Sequence, residues 1–206
     1  VAVLSIGALI PFFCHNVFGK KSKMFLGDSG SLLMGTIIST FVIGALNTNS
    51  PLAEKIDPDF GLIPFTIAVL SIPIFDTLRV MSFRIMRGYS PFSPDKTHLH
   101  HLLFDMDFSH IGTTVFIVLL DCLVILAWWI SYMAGLSIDW QLYIVIVLGL
   151  LVTFGFYGFV RIIQRNETPF FQFLKKVGKW THVGHTTGFE RFRTFLDINC
   201  DNITSE

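Results

Sequence analysis

The sequence predicts an all-α, polytopic membrane protein. Three observations support this fold class: the composition, the long apolar stretches, and the alternation of charge between those stretches. Of the 206 residues, 52% are hydrophobic and only 15% are charged, whereas soluble domains carry about 25% charged residues. The mean hydropathy is +0.62. Because a soluble domain could not bury this much apolar surface, the chain is expected to lie in a bilayer.

Apolar stretches of spanning length predict where the helices lie. A membrane-spanning helix needs about 20 mostly apolar residues, and we expect about five such helices. They cover residues 1–13, 30–46, 62–83, 112–135 and 142–163. The first stretch is too short to span a bilayer alone, and the third is interrupted by Pro73 and Asp76.

The first residue, Val1, already lies inside an apolar run, and no positively charged segment precedes that run as it would in a signal peptide. We therefore expect the chain to be the C-terminal piece of a longer protein, cut inside a transmembrane segment. Residues 1–165 are expected to form the C-terminal half of a transmembrane domain, and residues 166–206 a cytoplasmic amphipathic tail.

Positive charge marks every second connection between the apolar stretches. Lysines and arginines collect in residues 15–23, in residues 84–111 and in the tail, whereas residues 47–61 are mostly acidic. Positively charged loops stay on the cytoplasmic side of a membrane. We therefore expect the segments around Asp28 and His98 and the tail to lie in the cytoplasm.

The overall charge excludes some function classes. Lysine plus arginine and aspartate plus glutamate each number 15, so the formal net charge is zero. A protein without excess positive charge is not a nucleic-acid binder of the usual basic type. The three cysteines are far apart and odd in number, which is not the pattern of a disulfide scaffold.

The tail contains one amphipathic segment, residues 170–180, which read FFQFLKKVGKW. Apolar residues recur at helical spacing, and lysines occupy the other face. Such a helix can lie on the membrane surface against anionic lipid. It can equally pack on the cytoplasmic loops of the protein itself, and the sequence leaves both interpretations open.

The first candidate site lies where a cytoplasmic loop enters a span, at residues 24–31, which read MFLGDSGS. Asp28 is an ionisable group at the edge of a span, which is costly without a partner. Gly27 allows the backbone to approach a ligand closely, and the N–H groups opening the helix at Ser29 favour phosphate oxygens. A carboxylate beside bound phosphate is typically bridged by Mg²⁺. The alternative is that Asp28 only caps the helix.

The second candidate site is a histidine cluster, His98, His100 and His101, at the end of the loop RIMRGYSPFSPDKTHLHH, residues 84–101. At helical spacing His98 and His101 share a face, while His100 points elsewhere. Neutral histidine binds zinc and also donates to phosphate. The spacing does not match the H-E-x-x-H zinc pattern. A solvated cluster at the membrane surface is the alternative without a ligand.

Two arginines precede the histidines in the same loop. Arg84 and Arg87 carry the planar guanidinium group that binds phosphate through paired hydrogen bonds. The prolines between the arginines and the histidines stiffen the loop. The loop therefore combines groups that favour phosphate binding.

Two further carboxylates lie within the apolar stretches. Arg79 follows Asp76 by three residues, so the two side chains would lie on the same face of a helix. At a membrane interface such a pair indicates a structural or supporting role for Asp76 rather than direct catalysis. Asp121 lies in the middle of the fourth stretch, where the sequence shows no local partner for it.

The two loop motifs carry a family resemblance. Residues 23–31, KMFLGDSGS, resemble the Phe-Met-Gly-Asp-x-Gly-Ser segment of polyprenyl-phosphate N-acetylhexosamine-1-phosphate transferases. Residues 87–101, RGYSPFSPDKTHLHH, resemble the arginine-rich loop of that family, which ends in His-x-His-His. The nearer branch is the bacterial undecaprenyl-phosphate GlcNAc-1-phosphate transferases that start O-antigen, teichoic-acid-linkage or capsule synthesis. The resemblance covers about residues 1–165.

The resemblance implies an enzyme that joins a UDP-N-acetylhexosamine to undecaprenyl phosphate within membrane lipid and releases UMP. The implied metal is Mg²⁺, with Mn²⁺ as an alternative, bound by Asp28; a homodimer is left open. The residues assigned to substrates are Asn16, Phe25, Gly27, Ser29, Arg84 and Arg87, and those assigned to catalysis are Asp28, His98, His100 and His101.

One departure from the family pattern limits this assignment. The family also has an Asp-Asp pair and an Asn-x-x-Asp-type motif in its N-terminal half, and Asp-Asp occurs nowhere in these 206 residues. We therefore expect this chain alone to be inactive. Two other functions stay open, namely a membrane protein that transports or handles metal through the histidines, and a non-catalytic scaffold.

Overall fold

The computed structural model describes residues 2–18, 27–47, 57–92, 97–166 and 168–182, with residues 190–191 and 194–195. Within these ranges the regular elements are helical, which confirms the all-α class. The α-helices are α1 (Ala2–Phe18), α2 (Gly27–Leu46), α3 (Leu62–Val69), α4 (Ser71–Met86), α5 (Leu99–Asp105), α6 (His110–Met133), α7 (Ile138–Leu150), α8 (Phe156–Arg165) and α9 (Pro169–Trp180).

Three helical segments of the described chain are long and apolar enough to cross a membrane: Ser29–Leu46, His110–Met133 and Ile138–Arg165. The bent pair α3–α4 makes a fourth if it forms one span. The first expected stretch corresponds to α1, an apolar helix of 17 residues. The structure thus contains three or four spans by length and composition, where the sequence suggested about five.

The break in the third stretch lies at Leu70, upstream of the expected interruption at Pro73. The axes of α3 and α4 differ by 69°, and Pro73 is the third residue of α4. Proline is tolerated in the first turn of a helix, but its ring would clash with the carbonyl group four residues earlier in a continuous helix. That carbonyl belongs to Val69, the last residue of α3, so the break precedes the proline.

The last span is one continuous rod made of α7, a π-helical turn (Leu151–Gly155) and α8. Beside it, Gly149 packs against the ring of Phe75 in α4, and a Cβ at Gly149 would overlap that ring. Glycine therefore allows α4 to lie close to the last span. This contact helps hold the buried carboxylate and arginine of α4 in place.

One end of the bundle is fixed by a buried glutamine. Gln141 donates its amide to the carbonyl oxygens of Asp59 and Leu136 at 2.9 Å each and accepts from Trp128 Nε1 at 3.1 Å. The Tyr132 hydroxyl donates to Asp57 Oδ2 at 3.1 Å. The described end of the acidic connection, residues 57–61, therefore packs at the C-terminal end of α6.

The basic connections lie at the other end of the bundle. The ring of Phe104 in α5 contacts the ring of His110, the first residue of α6, with centroids 4.8 Å apart. Because α6 has 24 residues, its two ends are separated by about 36 Å at 1.5 Å per residue. Among the described residues, the end of the acidic connection and the histidine-bearing connection thus lie at opposite ends of α6, as the alternation of charge predicts for these two.

Candidate active site

A buried ion pair on α4 forms the base of the candidate site. Arg79 is completely buried, and its Nη2 lies 2.7 Å from Asp76 Oδ1 and 2.6 Å from the carbonyl oxygen of Thr97. Its guanidinium carbon lies 4.1 Å from the centre of the Tyr157 ring. The predicted pairing of Asp76 with Arg79 is confirmed, and Arg79 also ties the loop before the histidines to α4.

Asp76 reaches the histidine cluster directly. Its Oδ2 lies 2.9 Å from His98 Nδ1, and the backbone N–H of Leu99 lies 3.3 Å from both carboxylate oxygens. One carboxylate on α4 thus caps the start of α5 and orients a histidine 22 positions later. The spacing of residues in the sequence gives no signal of this long-range contact.

The contact between Asp76 and His98 determines how His98 can act. A carboxylate that accepts from Nδ1–H holds the imidazole in one orientation and leaves Nε2 as the nitrogen that faces a ligand. The side chain of His98 is 32% exposed, whereas that of Asp76 is only 11% exposed. His98 is therefore the accessible partner, and Asp76 is the buried support.

All three histidine rings lie together, which corrects the expectation that His100 points away from the others. The rings of His98 and His100 stack with centroids 5.8 Å apart, and those of His100 and His101 are 4.2 Å apart. The reason is that His98 precedes α5 with extended backbone angles, φ −57° and ψ 154°. Helical spacing therefore does not apply to it.

The packing of the three rings makes His100 harder to protonate. Partial burial lowers the pKa of His100 below its usual 6.5, and the neighbouring charges of His101 and His98 lower it further, while Asp76 opposes the change. Because the folded-state pKa is lowered, protonation of His100 as the pH falls through this range disfavours the folded arrangement. Neutral His100 is thus the form that fits the cluster.

We predict that the His100 ring titrates below pH 6.5 in the folded protein. Side-chain NMR on ¹⁵N-histidine-labelled protein in detergent or nanodiscs measures the midpoint. His101→Gln removes one neighbouring positive charge and should move the midpoint upward, toward the usual value. A midpoint at or above 6.5 in the unaltered protein, or no upward movement in the variant, would contradict the described packing.

The two arginines of the loop have different surroundings. Arg84 is half-buried, and its Nη1 donates to the carbonyl oxygen of Pro91 at 2.5 Å. Arg87 is exposed and ends α4, with Gly88 in the left-handed region at φ +76° directly after it. Arg84 therefore holds the loop against α4, and Arg87 is the arginine whose side chain extends into solvent.

The other predicted site residues lie at the start of α2 and the end of α1. Gly27 begins α2 at φ +67°, a left-handed conformation that favours glycine, and Ser31 Oγ donates to the Gly27 carbonyl oxygen at 2.9 Å. Ser29 is exposed and Asn16 is half-buried. Phe25 and the side chain of Asp28 lie outside the described residues.

The structure brings the three predicted histidines into contact and shows no direct contact between them and the other described site residues. Among the described residues, His98, His100 and His101 contact one another through their rings. In the same set, no hydrogen bond or ring contact connects Gly27, Ser29 or Asn16 to the histidines. The assignment of these residues to one site therefore still comes from the motifs.

Asp121 has a structural explanation that the sequence does not reveal. Its Oδ1 accepts from the hydroxyl group of Ser71 at 2.7 Å and from the N–H of Ile72 at 3.3 Å. Both donors lie in the first turn of α4, directly after the break at Leu70. Asp121 thus caps α4 from the neighbouring helix α6, 50 positions away.

The described residues contain no group of three or more His, Cys, Asp or Glu side chains arranged to hold a metal ion. The side chain of Asp28, the predicted metal ligand, lies outside the described residues, so its metal role stays a prediction.

These features define a class of protein, an all-α polytopic membrane protein whose basic end carries a histidine cluster supported by a buried carboxylate. About half of the chain, 116 residues, is 39% identical to the decaprenyl-phosphate N-acetylglucosaminephosphotransferase of Mycolicibacterium smegmatis. It is 34% and 33% identical to the undecaprenyl-phosphate alpha-N-acetylglucosaminyl 1-phosphate transferases of Yersinia pestis and Escherichia coli K12. The predicted resemblance to polyprenyl-phosphate N-acetylhexosamine-1-phosphate transferases is thus confirmed for this part.

The similarity covers 53–55% of this chain and 27–30% of the length of these relatives. The chain therefore spans less than a third of the curated relatives that it matches. No family model matches the chain. No solved structure matches it.

Proposed function

We propose that this chain forms the phosphate-handling end of an enzyme that transfers N-acetylhexosamine-1-phosphate from a UDP-sugar to a polyprenyl phosphate. The observation that carries the proposal is the contact of Asp76 with His98, which orients a partly exposed histidine at the end of the bundle that bears the histidine cluster. The relatives named above support the reaction class, because their names describe phosphotransferases that act on polyprenyl phosphates. The active side would face the cytoplasm of a bacterial inner membrane.

The proposed reaction is one phosphoryl transfer. An oxygen of the lipid phosphate forms a bond to the phosphorus that carries the sugar, and the bond from that phosphorus to the bridging oxygen of the diphosphate breaks. UMP leaves with the electron pair of the broken bond. Such transfers depend on positioning and charge neutralisation more than on covalent work by the protein.

The groups of the chain match this requirement. With a proton on both ring nitrogens, His98 would donate Nδ1–H to Asp76 and Nε2–H to a phosphate oxygen. The N–H groups of His100 and His101 would donate to further phosphate oxygens, and together these donors would stabilise the negative charge that develops there. Arg87 would bind a phosphate through its exposed guanidinium group. Asp76 and Arg79 would hold these groups in place from below without touching a substrate.

Asp28 would hold Mg²⁺ against the diphosphate of the nucleotide sugar, with Gly27 and Ser29 beside it at the start of α2. Bound there, Mg²⁺ would neutralise charge on the diphosphate. Phe25 would lie near the nucleotide base, and Asn16 would serve the same substrate. These roles follow the motif and the resemblance.

The test is UMP release by membranes that contain the gene product carrying this chain, with UDP-GlcNAc or UDP-GalNAc as donor and undecaprenyl phosphate as acceptor. Asp28→Asn keeps the size of the side chain but removes the charge that attracts a divalent cation. We expect the Mg²⁺ concentration required for half-maximal release to rise by about tenfold or more, as for lost metal-site interactions.

Asp139→Asn is the matched control. Asp139 is an exposed aspartate in the first turn of α7, at the acidic end of the bundle, and this change should leave the Mg²⁺ requirement unaltered. An unchanged requirement in Asp28→Asn would exclude the metal role of Asp28. If membranes with the unaltered protein release no UMP from either UDP-GlcNAc or UDP-GalNAc, the proposed function itself is overturned.

A further inference from the structure

Helix α9 has three distinct faces, and one of them is docked closely on the rest of the protein. Phe171 and Leu174 pack against the core. A Cβ at Gly178 would overlap the carbonyl oxygen of Met106 and come within 2.9 Å of the Phe108 ring. The first face is therefore docked closely on the segment that follows α5.

Hydrogen bonds fix the C-terminal end of α9 to the same segment. The N–H of Ser109 donates to Thr181 Oγ1 at 2.9 Å, and Ser109 Oγ donates to the Thr181 carbonyl oxygen at 2.8 Å. At the other end, Thr168 caps the helix by accepting from the N–H of Phe171 at 3.3 Å. The orientation of α9 relative to α5 and α6 is thus set by hydrogen bonds at its C-terminal end.

The second face is an apolar stripe that the described part of the chain leaves largely exposed. It repeats at spacings of three and four residues and consists of Phe170, Phe173, Val177 and Trp180. Phe173 is 57% exposed and Trp180 is 86% exposed. Large aromatic side chains exposed along one helix face are typical of a helix that lies in a membrane interface.

The stripe continues the lipid-facing surface of the last span. The ring of Phe170 contacts the ring of Phe159 in α8, with centroids 5.8 Å apart. Phe159 and Ile162 are exposed side chains on a segment of spanning length and apolarity. Since the bilayer already surrounds α8, the same leaflet would cover the stripe where it adjoins that helix.

The third face is positively charged. It consists of Lys175, Lys176 and Lys179, of which Lys175 borders the docked face and the other two are exposed. Residues 169–180 contain no aspartate or glutamate. Lys175 Nζ also lies 5.5 Å from the centre of the Phe171 ring. Long lysine side chains can extend from such a helix to the headgroup level while their stems lie along apolar surface.

We propose that α9 is an interfacial helix, with its apolar stripe in the headgroup boundary of the bilayer and its three lysines on anionic lipid headgroups. Each lysine near an anionic leaflet contributes about fivefold in binding. Because the docked face holds the segment after α5, this helix also fixes the histidine-bearing α5 at the membrane surface. The proposal does not depend on the proposed enzymatic function.

The experiment uses the intact protein in vesicles and the fluorescence of Trp180, obtained as the difference between the protein and its Trp180→Phe variant. Brominated lipids quench tryptophan on contact. We expect brominated phosphatidylglycerol, diluted in unlabelled phosphatidylcholine, to quench Trp180 several times more strongly than the same fraction of brominated phosphatidylcholine. High salt should reduce this excess, because it screens exposed charges.

A combined Lys175→Gln, Lys176→Gln and Lys179→Gln variant should remove the preference for the anionic lipid while leaving quenching by brominated phosphatidylcholine. Trp140 is the matched control probe, because it is 62% exposed at the opposite end of the last span. Its quenching, measured through Trp140→Phe, should not respond to the lysine changes. The double variant Lys176→Gln with Lys179→Gln keeps the contact of Lys175 with the Phe171 ring and should weaken the same preference, so it tests charge alone.

Three outcomes would overturn the proposal. If aqueous iodide quenches Trp180 and neither lipid does, the stripe faces water. If nothing quenches it, protein covers the stripe, and dependence on protein concentration would identify a second copy. If both brominated lipids quench it equally in the unaltered protein, the helix lies in the membrane without selecting anionic headgroups.

Discussion

Replacing Asp76 with asparagine is expected to have the largest effect of any single change described here. Arg79 would remain completely buried with no opposite charge, and removing one partner of a buried pair costs about 3–5 kcal/mol. The N–H of Leu99 and the ring of His98 would lose their shared carboxylate at the same time. We therefore expect a large decrease in the thermal unfolding midpoint and, under the proposed function, at least about a 100-fold loss of UMP release.

The loss of stability and the loss of histidine positioning can be separated. The double variant Asp76→Leu with Arg79→Leu replaces the buried pair by apolar side chains, a change that often restores stability. If Asp76 acts as a positioning residue, this variant should recover much of the unfolding midpoint but not the UMP release. The ¹⁵N shifts of His98 should also report a mixture of tautomers, which a purely structural role would not produce.

Asp105→Asn supplies the control for the single change. Asp105 is the exposed last residue of α5, so the same chemical change close to the histidines should alter neither the unfolding midpoint nor the His98 shifts. Asp76→Glu keeps the charge and should retain part of both properties. Full UMP release in the double variant would show that Asp76 only stabilises the fold.

The helical class and the approximate spans were predictable, because the length and apolarity of a stretch are read directly from composition. Local features within the spans were not. Pro73 predicted a break, and the break lies at Leu70. The reason is that a proline ring clashes with the carbonyl group four residues earlier. The π-helical turn at Leu151–Gly155 contains no proline or charged residue, so the sequence did not predict it.

In the candidate site, too, the sequence predicted local pairs of residues but not the contacts between helices. Sequence spacing predicted the pair of Asp76 and Arg79, because residues three positions apart lie on the same face of a helix. It also identified the three histidines as one cluster. It could not connect Asp76 to His98 or Asp121 to Ser71, because these contacts depend on how separate helices pack. It also misplaced His100, since the backbone at His98 is extended and the helix begins only at Leu99.

The second large effect is expected at Asp121, whose carboxylate caps the bent pair from a neighbouring helix. Asp121→Ala would leave the completely buried hydroxyl group of Ser71 and the N–H of Ile72 without their acceptor. An unsatisfied buried polar group costs about 1–3 kcal/mol. We expect a lower free energy of unfolding and faster hydrogen exchange at the Ile72 amide, measured by equilibrium unfolding and by hydrogen–deuterium exchange.

Asp121→Asn tests whether the cap or the charge matters. The asparagine side chain keeps an oxygen in the position of Oδ1, so it can still accept from Ser71 and Ile72, and we expect most of the stability and the exchange protection to remain. Equal destabilisation by alanine and asparagine would show that the negative charge itself is required. Unchanged stability in both variants would mean that α4 begins at Ser71 without help from α6, and that the clash between Pro73 and Val69 alone maintains the bend.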